Sequence, residues 1–168
     1  MKKKYYKPKK IEQTLRLGFN IAMTLRKKDV VCLFGSLGAG KTVIAKGICK
    51  GLAVKDFVNS PSFKIVNEYK GKLPIYSASC QELHFSKIDI DKRQKFTKCS
   101  VYHTDLYRLN SIKEIDSLGL DEYIYSDGIT IIEWAEKLGK KNLPKKRIEI
   151  HIKVTSENER EIKWQRYQ

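Results

Sequence analysis

No apolar run in the chain approaches the roughly 20 residues that a membrane-spanning helix needs, and the lysine-rich start is not followed by the apolar core of a signal peptide. Both absences lead to the expectation of a cytoplasmic protein with no membrane partner. Cys32, Cys49, Cys80 and Cys99 form no CxxC pair, and two of them fall on apolar faces. That pattern reads as reduced, structural thiols rather than a disulfide framework. His84, His103 and His151 have no companions at metal-ligand spacing, so no zinc site is expected. The NKxD tetrapeptide that reads guanine is missing as well, which argues against a GTPase.

Acidic residues are also in short supply, 19 against 34 basic ones, and the formal net charge is +15. The excess is lysine, 27 residues against seven arginines, with no arginine-rich or aromatic-interleaved stretch of the kind that reads RNA. Attraction to a polyanion and a plain lysine bias both account for it. No DNA partner is expected.

At 168 residues the chain suits one domain with a central sheet covered on two sides. Residues 1–10, with six lysines, two tyrosines and no periodicity, read as a basic mobile tail. Residues 11–168 read as a single domain, interrupted by an extended basic excursion with a hairpin over 70–100.

The most informative stretch is Val30-Val31-Cys32-Leu33-Phe34 followed by Gly35-Ser36-Leu37-Gly38-Ala39-Gly40-Lys41-Thr42. An apolar run of strand length leads into GxxxxGK[ST], and Val43, Ile44, Ala45, Ile48, Cys49 and Leu52 then recur at helical spacing. Glycines let successive backbone N–H groups point inward at phosphate oxygens, and the helix N-terminus adds unpaired donors. Lys41 is placed to bridge the β- and γ-phosphates, and the Thr42 hydroxyl to hold Mg²⁺. A nucleoside triphosphate with Mg²⁺ is therefore the expected ligand.

Upstream, Ile11, Leu15, Gly18, Ala22 and Leu25 mark a helix expected to end at Lys27-Lys28, with Thr14 a candidate contact to the base. Downstream, Asn59-Ser60-Pro61-Ser62-Phe63 is an extended segment of the kind that passes over a γ-phosphate, with Ser60 and Ser62 offering hydroxyls. A short strand over 101–108 reaches Asp105, and Ser111 to Glu114 form a capping box that opens a helix closed by Gly119. A second buried strand, Ile129-Thr130-Ile131-Ile132, ends in Glu133. Ligands of open α/β sheets bind beyond the carboxyl ends of the strands. One of these carboxylates is expected to help hold Mg²⁺, directly or through water, and the other to orient an attacking water or complete the ion's shell. Alternating Ile148, Ile150, Ile152 and Val154, a polar turn, and a strand from Arg160 through Trp164 form a C-terminal hairpin, from which Arg160 is a candidate to reach back to the nucleotide. The expected architecture is an α/β P-loop NTPase-like sheet, mostly parallel, with helices on both faces and an antiparallel C-terminal edge hairpin.

GSLGAGKT, NSPSF with its following strand, VYHTDLYRL, LGLDEY and IIEW resemble, in this order and spacing, the bacterial TsaE family, formerly YjeE. The resemblance covers nearly all of the chain from Ile11 to Trp164, and HxDLYR combined with IEW is its most specific part. It implies weak, magnesium-dependent ATP hydrolysis in the making of threonylcarbamoyladenosine on tRNA. It also implies docking on a partner complex of the TsaB and TsaD type, with tRNA contacted indirectly. Position by position, Leu37–Thr42 matches the family's phosphate-binding segment, Thr42 and Glu133 its Mg²⁺ positions, and Asp105 its acidic residue needed for activity. Thr14 and Arg160 match its adenosine-side contacts, and Trp134 its tryptophan beside the nucleotide. Ser36, Ser62 and Ala135 depart from the family's usual Asp, Thr and Pro, and the 70–100 segment is longer than usual. Two other readings of the bare P-loop are a small-molecule kinase, for which the excursion supplies only Arg93, and a nucleotide-gated RNA-binding module.

Overall fold

A computed structural model describes residues 4–75 and 95–167. The strands are β1 (Lys4–Tyr6), β2 (Val30–Phe34), β3 (Val66–Ile75), β4 (Lys95–Asp105), β5 (Ile129–Glu133), β6 (Arg147–Val154) and β7 (Arg160–Tyr167). They form one sheet in the order β1-β7-β6-β2-β5-β4-β3. Its centre, β6-β2-β5-β4, is parallel, and the outer pairings β1-β7, β7-β6 and β4-β3 are antiparallel. The parallel core and the antiparallel C-terminal hairpin are those expected of a P-loop sheet, and the antiparallel β3 and β1 make the whole more mixed than expected.

Two faces of β2 are buried because its residues alternate between two separate cores. Val31 and Leu33 join α1 (Ile11–Ala22) and α2 (Lys41–Gly51) through Leu17, Ile21, Ile44 and Ile48. Val30 and Cys32 join the opposite layer, where α3 (Ile112–Ser117) and α4 (Leu120–Ile124) contribute Ile115, Leu120 and Ile124. Burial pushes the Cys32 and Cys49 thiols up to about 12, so both stay protonated and unreactive, and Cys99 is raised for the same reason.

Several expectations need correction. The start of the chain is not free throughout, since Lys4–Tyr6 pair with Ile162–Trp164 as the outermost strand. An exposed three-residue strand is held by backbone bonds to the open edge of β7, which leaves no hydrophobic signature to read. Helix α1 ends at Ala22, short of Lys27-Lys28. Its buried stripe is Thr14, Leu17, Gly18, Ile21 and Ala22, while Ile11 is 68% exposed. Phe63, where the extended segment was expected to run on, lies in a turn and is largely exposed. The strand ending at Asp105 begins at Lys95, so 70–75 and 95–100 are the arms of a long β3-β4 ladder. Residues 76–94, which hold the centre of the expected excursion with Arg93, lie outside the described residues.

The two helices beneath the phosphate loop cross at glycines. A Cβ on Gly47 would collide with the Leu15 carbonyl oxygen and approach the Gly18 Cα to 3.0 Å. Overpacking costs about 1–3 kcal/mol, whereas replacing a helical glycine by alanine returns about 1 kcal/mol of propensity. Because the obstacle is backbone, the steric term wins. Gly47→Ala is expected to destabilise the fold by about 2 kcal/mol in urea unfolding. A neutral or stabilising outcome would show that the helices do not approach this closely.

Candidate functional site

The loop between β2 and α2 takes the conformation its glycines permit. Gly35, Gly38 and Gly40 all have positive φ, at 145°, 74° and 108°. At Gly40 an L side chain would be strained whatever the space around it, so the glycine is needed for the backbone to turn its amides inward. Thr14, buried in α1, stands behind this glycine, its methyl group 4.0 Å from where a Gly40 Cβ would lie. Leu37 and Gly38 form the exposed tip, whereas Ala39 is buried beneath it.

Lys41 opens α2 with its side chain folded back along the loop. Its Nζ donates to the Gly35 carbonyl at 2.6 Å and the Ser36 carbonyl at 3.0 Å, and it lies 3.6 Å from the centre of the Trp134 indole. Burial holds this ammonium below the usual lysine value, against the opposing pull of Glu136, Glu133 and Asp105. Trp134 sits in the left-handed region, φ 57°, directly after β5. For a bulky residue that conformation costs on the order of 1–2 kcal/mol, and its ring is held between Lys41 and Tyr107, the latter 5.0 Å away.

The two strand-end carboxylates stand side by side. β4 and β5 are parallel with Asp105 opposite Glu133, and Glu133 in turn pairs with Leu33, two residues before the phosphate loop. Thr42 Oγ1 donates to Glu133 Oε2 at 2.9 Å. The other oxygen, Oε1, lies 2.8 Å from His103 Nε2. Asp105 accepts at Oδ2 from both Ser60 and Ser62, the latter at 2.6 Å, and at Oδ1 from the Tyr107 amide at 2.9 Å. The Asn59–Phe63 segment is thereby latched to β4. Lys137 Nζ caps the Tyr107 and Leu109 carbonyls, fixing the chain beyond Asp105.

The structure thus brings together Gly35, Gly40, Lys41, Thr42, Asp105, Glu133 and Trp134, with Thr14 packed behind. Arg160 is placed otherwise. Its Nη1 donates to the carbonyls of Ser156, Glu157 and Glu159, which turns the guanidinium into its own hairpin. Arg108 lies over the Phe63 ring at 3.9 Å. Sequence reasoning met His103 only as a histidine without metal-ligand companions and as the first residue of HxDLYR, and gave it no role. Its place two residues before Asp105 on a strand was the available signal, because strand period puts both on one face.

The donor set suits a magnesium nucleotide. The loop offers backbone amides and an ammonium, and beside it a hydroxyl and a carboxylate already lie within hydrogen-bond reach, the hard oxygen ligands Mg²⁺ takes. Residues able to hold the ion are Thr42 and Glu133.

The Lys41 shift has a measurable consequence. A lysine whose folded pKa is depressed binds fewer protons than in the unfolded chain between that value and 10.5, so folding stability rises with pH across this window. Wild-type protein is expected to gain stability relative to Lys41→Met between pH 8 and pH 10 in urea unfolding, and parallel curves would contradict the burial of the ammonium.

Comparisons with known proteins give the family. A family model described as "Threonylcarbamoyl adenosine biosynthesis protein TsaE" matches residues 8–86 and 85–162, in two pieces that meet inside the 76–94 segment. A Bacillus subtilis protein named tRNA threonylcarbamoyladenosine biosynthesis protein TsaE is 36% identical over 152 residues, covering 90% of this chain and 78% of its own. A Treponema pallidum protein of the same name is 30% identical over 151 residues, covering 90% and 92%. The crystal structure of Bacillus subtilis YdiB superposes with a TM-score of 0.69 at 28% identity, covering 99% of this chain and 87% of that one. The chain belongs to the TsaE family.

Proposed function

We propose that this chain is a magnesium-dependent P-loop ATPase, cytoplasmic, that hydrolyses ATP slowly and serves N6-threonylcarbamoyladenosine formation on tRNA through a partner complex of the TsaB/TsaD type. The observation that carries the reading is the Thr42 hydroxyl 2.9 Å from the Glu133 carboxylate, at the end of a glycine loop and level with a second strand-end carboxylate. Involvement in threonylcarbamoyladenosine synthesis rests on membership of the TsaE family.

Magnesium, when bound, would be held by Thr42 and Glu133 and would supply neutralisation of phosphate charge. The chain's own residues do the rest. Lys41 exchanges the Gly35 and Ser36 carbonyls for phosphate oxygens, and the exchange is favoured because an anion relieves its desolvation better than two neutral carbonyls do. Trp134 walls the ammonium from water on the β5 side. Asp105 is the acceptor that orients the attacking water. Its Oδ2 already accepts two seryl hydroxyls, so accepting a water there loosens the Ser60-Pro61-Ser62 latch, and the state of the reaction is coupled to a surface segment.

Slow turnover follows from charge. Among the described residues Arg108 is stacked on Phe63 and Arg160 is tied into its turn, so neither is poised over the phosphate loop. An arginine added by a partner is worth 10³–10⁵ in comparable sites. The test is ATP turnover of wild type, Lys41→Ala and Asp105→Asn, alone and with the partner complex. Wild type is expected to stay below about 1 s⁻¹ alone and to rise with partners. Each variant is expected to lose about 10²–10³-fold, with Asp105→Asn still binding nucleotide. Turnover of about 1–100 s⁻¹ by the isolated protein, the range of kinases, or activity indifferent to Lys41→Ala, would refute the reading.

A further inference from the structure

His103 is a fully buried imidazole that none of the steps above uses. It lies in β4 at 0% exposure, with Nε2 2.8 Å from Glu133 Oε1 and with no hydrogen-bond partner for Nδ1 among the described residues. An ionised carboxylate only accepts, so Nε2 is the donor in this contact, and Nδ1 is buried without a partner among the described residues. Burying half of a side chain's polar capacity without a partner is unfavourable. Val101, two residues earlier on the same strand, is a buried apolar residue, so packing on this strand does not itself call for an imidazole. Among the described residues, the contact that justifies the histidine is the one to Glu133.

That contact makes the two oxygens of Glu133 unequal. Oε1 is held from beneath by His103, and Oε2 faces the phosphate loop through Thr42. We infer that His103 is a positioning residue: by clamping Oε1 it fixes the carboxylate so that Oε2 alone is presented to magnesium, directly or through a water. The inference rests on the reading of Thr42 and Glu133 as the pair that holds the ion. Magnesium demands near-ideal octahedral geometry, so a carboxylate free to rotate about its terminal bond is a poorer ligand. Partners that orient a metal-binding side chain are worth about 10–100-fold in metal affinity.

Side-chain reach gives a sharp test. The amide nitrogen of glutamine lies about where imidazole Nε2 does, whereas that of asparagine corresponds to Nδ1. H103Q therefore keeps a donor to Glu133, and H103N and H103L do not. Mn²⁺ binding is followed by electron paramagnetic resonance on protein saturated with a non-hydrolysable ATP analogue. Affinity for a fluorescent ATP analogue is measured separately in EDTA. H103N and H103L are expected to weaken Mn²⁺ about tenfold or more while H103Q stays within about threefold of wild type, and nucleotide affinity in EDTA is expected to be unchanged. Equal Mn²⁺ affinity in wild type and H103N would overturn the inference, as would a parallel loss in EDTA, which marks general damage to the site. If H103L does not fold, H103N against H103Q carries the same decision. Wild-type protein that binds the nucleotide but no Mn²⁺ would remove the proposed metal pair and this inference with it, whereas wild-type binding with indifferent variants removes the inference alone.

Discussion

The arrangement depends on one strand, β5, lying between β2 and β4 in parallel register. That pairing sets Leu33, Glu133 and Asp105 abreast, so the phosphate loop leaves β2 two residues past the level at which both carboxylates emerge. A slip of one residue in either pairing would turn a carboxylate to the opposite face of the sheet, because side chains alternate with period two. Register is fixed from both sides: Val31, Leu33, Ile129 and Ile131 are buried in one core, and Val30, Cys32 and Ile132 in the other. The hydrophobic pattern that folds the sheet is thus also what aligns the polar site.

Around that register the site is preorganised by contacts made at a distance in sequence. Thr42 meets Glu133 across 91 residues, and Ser60 and Ser62 meet Asp105 across 45 and 43. They link two elements to the strand ends: the helix after the loop, and the Asn59–Phe63 segment. The close glycine crossing of α1 and α2 brings Thr14 up to Gly40, so the first helix backs the phosphate loop rather than merely covering the sheet. Trp134 adds a strained backbone at the end of β5, a position where strain is tolerated only because the ring is fixed by its neighbours.

Much of this was legible in the sequence, for local reasons. A buried run of five apolar residues before a glycine loop is a strand–loop–helix by length and spacing alone, and β5 was bounded correctly because its apolar run stops abruptly at Glu133. The Ser111 cap also appears as read, with the Glu114 amide donating to Ser111 Oγ at 3.2 Å, although the Glu114 carboxylate accepts from the Asn110 amide rather than from that of Ser111. What escaped lacks a local signal. β1 has no buried side chain, and the first half of β4 is polar and exposed, held by its ladder to β3. The stripe of α1 was read as rotated because Gly18 was counted as one apolar position among several, when its contact with Gly47 decides which face turns inward. His103 and Glu133 are partners only once β4 lies beside β5, and no spacing rule for metal ligands anticipates a histidine that serves a carboxylate. Arg160, a candidate both from the hairpin and from the resemblance, donates to the carbonyls of its own turn, a local contact that spacing does not announce.

The central claim is that the glycine loop and the strand-end carboxylates form a single magnesium-nucleotide site. Anomalous scattering from Mn²⁺ in crystals grown with a non-hydrolysable ATP analogue addresses it most directly. The expected result is one peak between Thr42 Oγ1 and Glu133 Oε2, at about 2.1 Å from a direct ligand or one water further away, with the triphosphate lying along Gly35–Thr42. Manganese bound elsewhere, or a triphosphate outside the loop, would contradict the account.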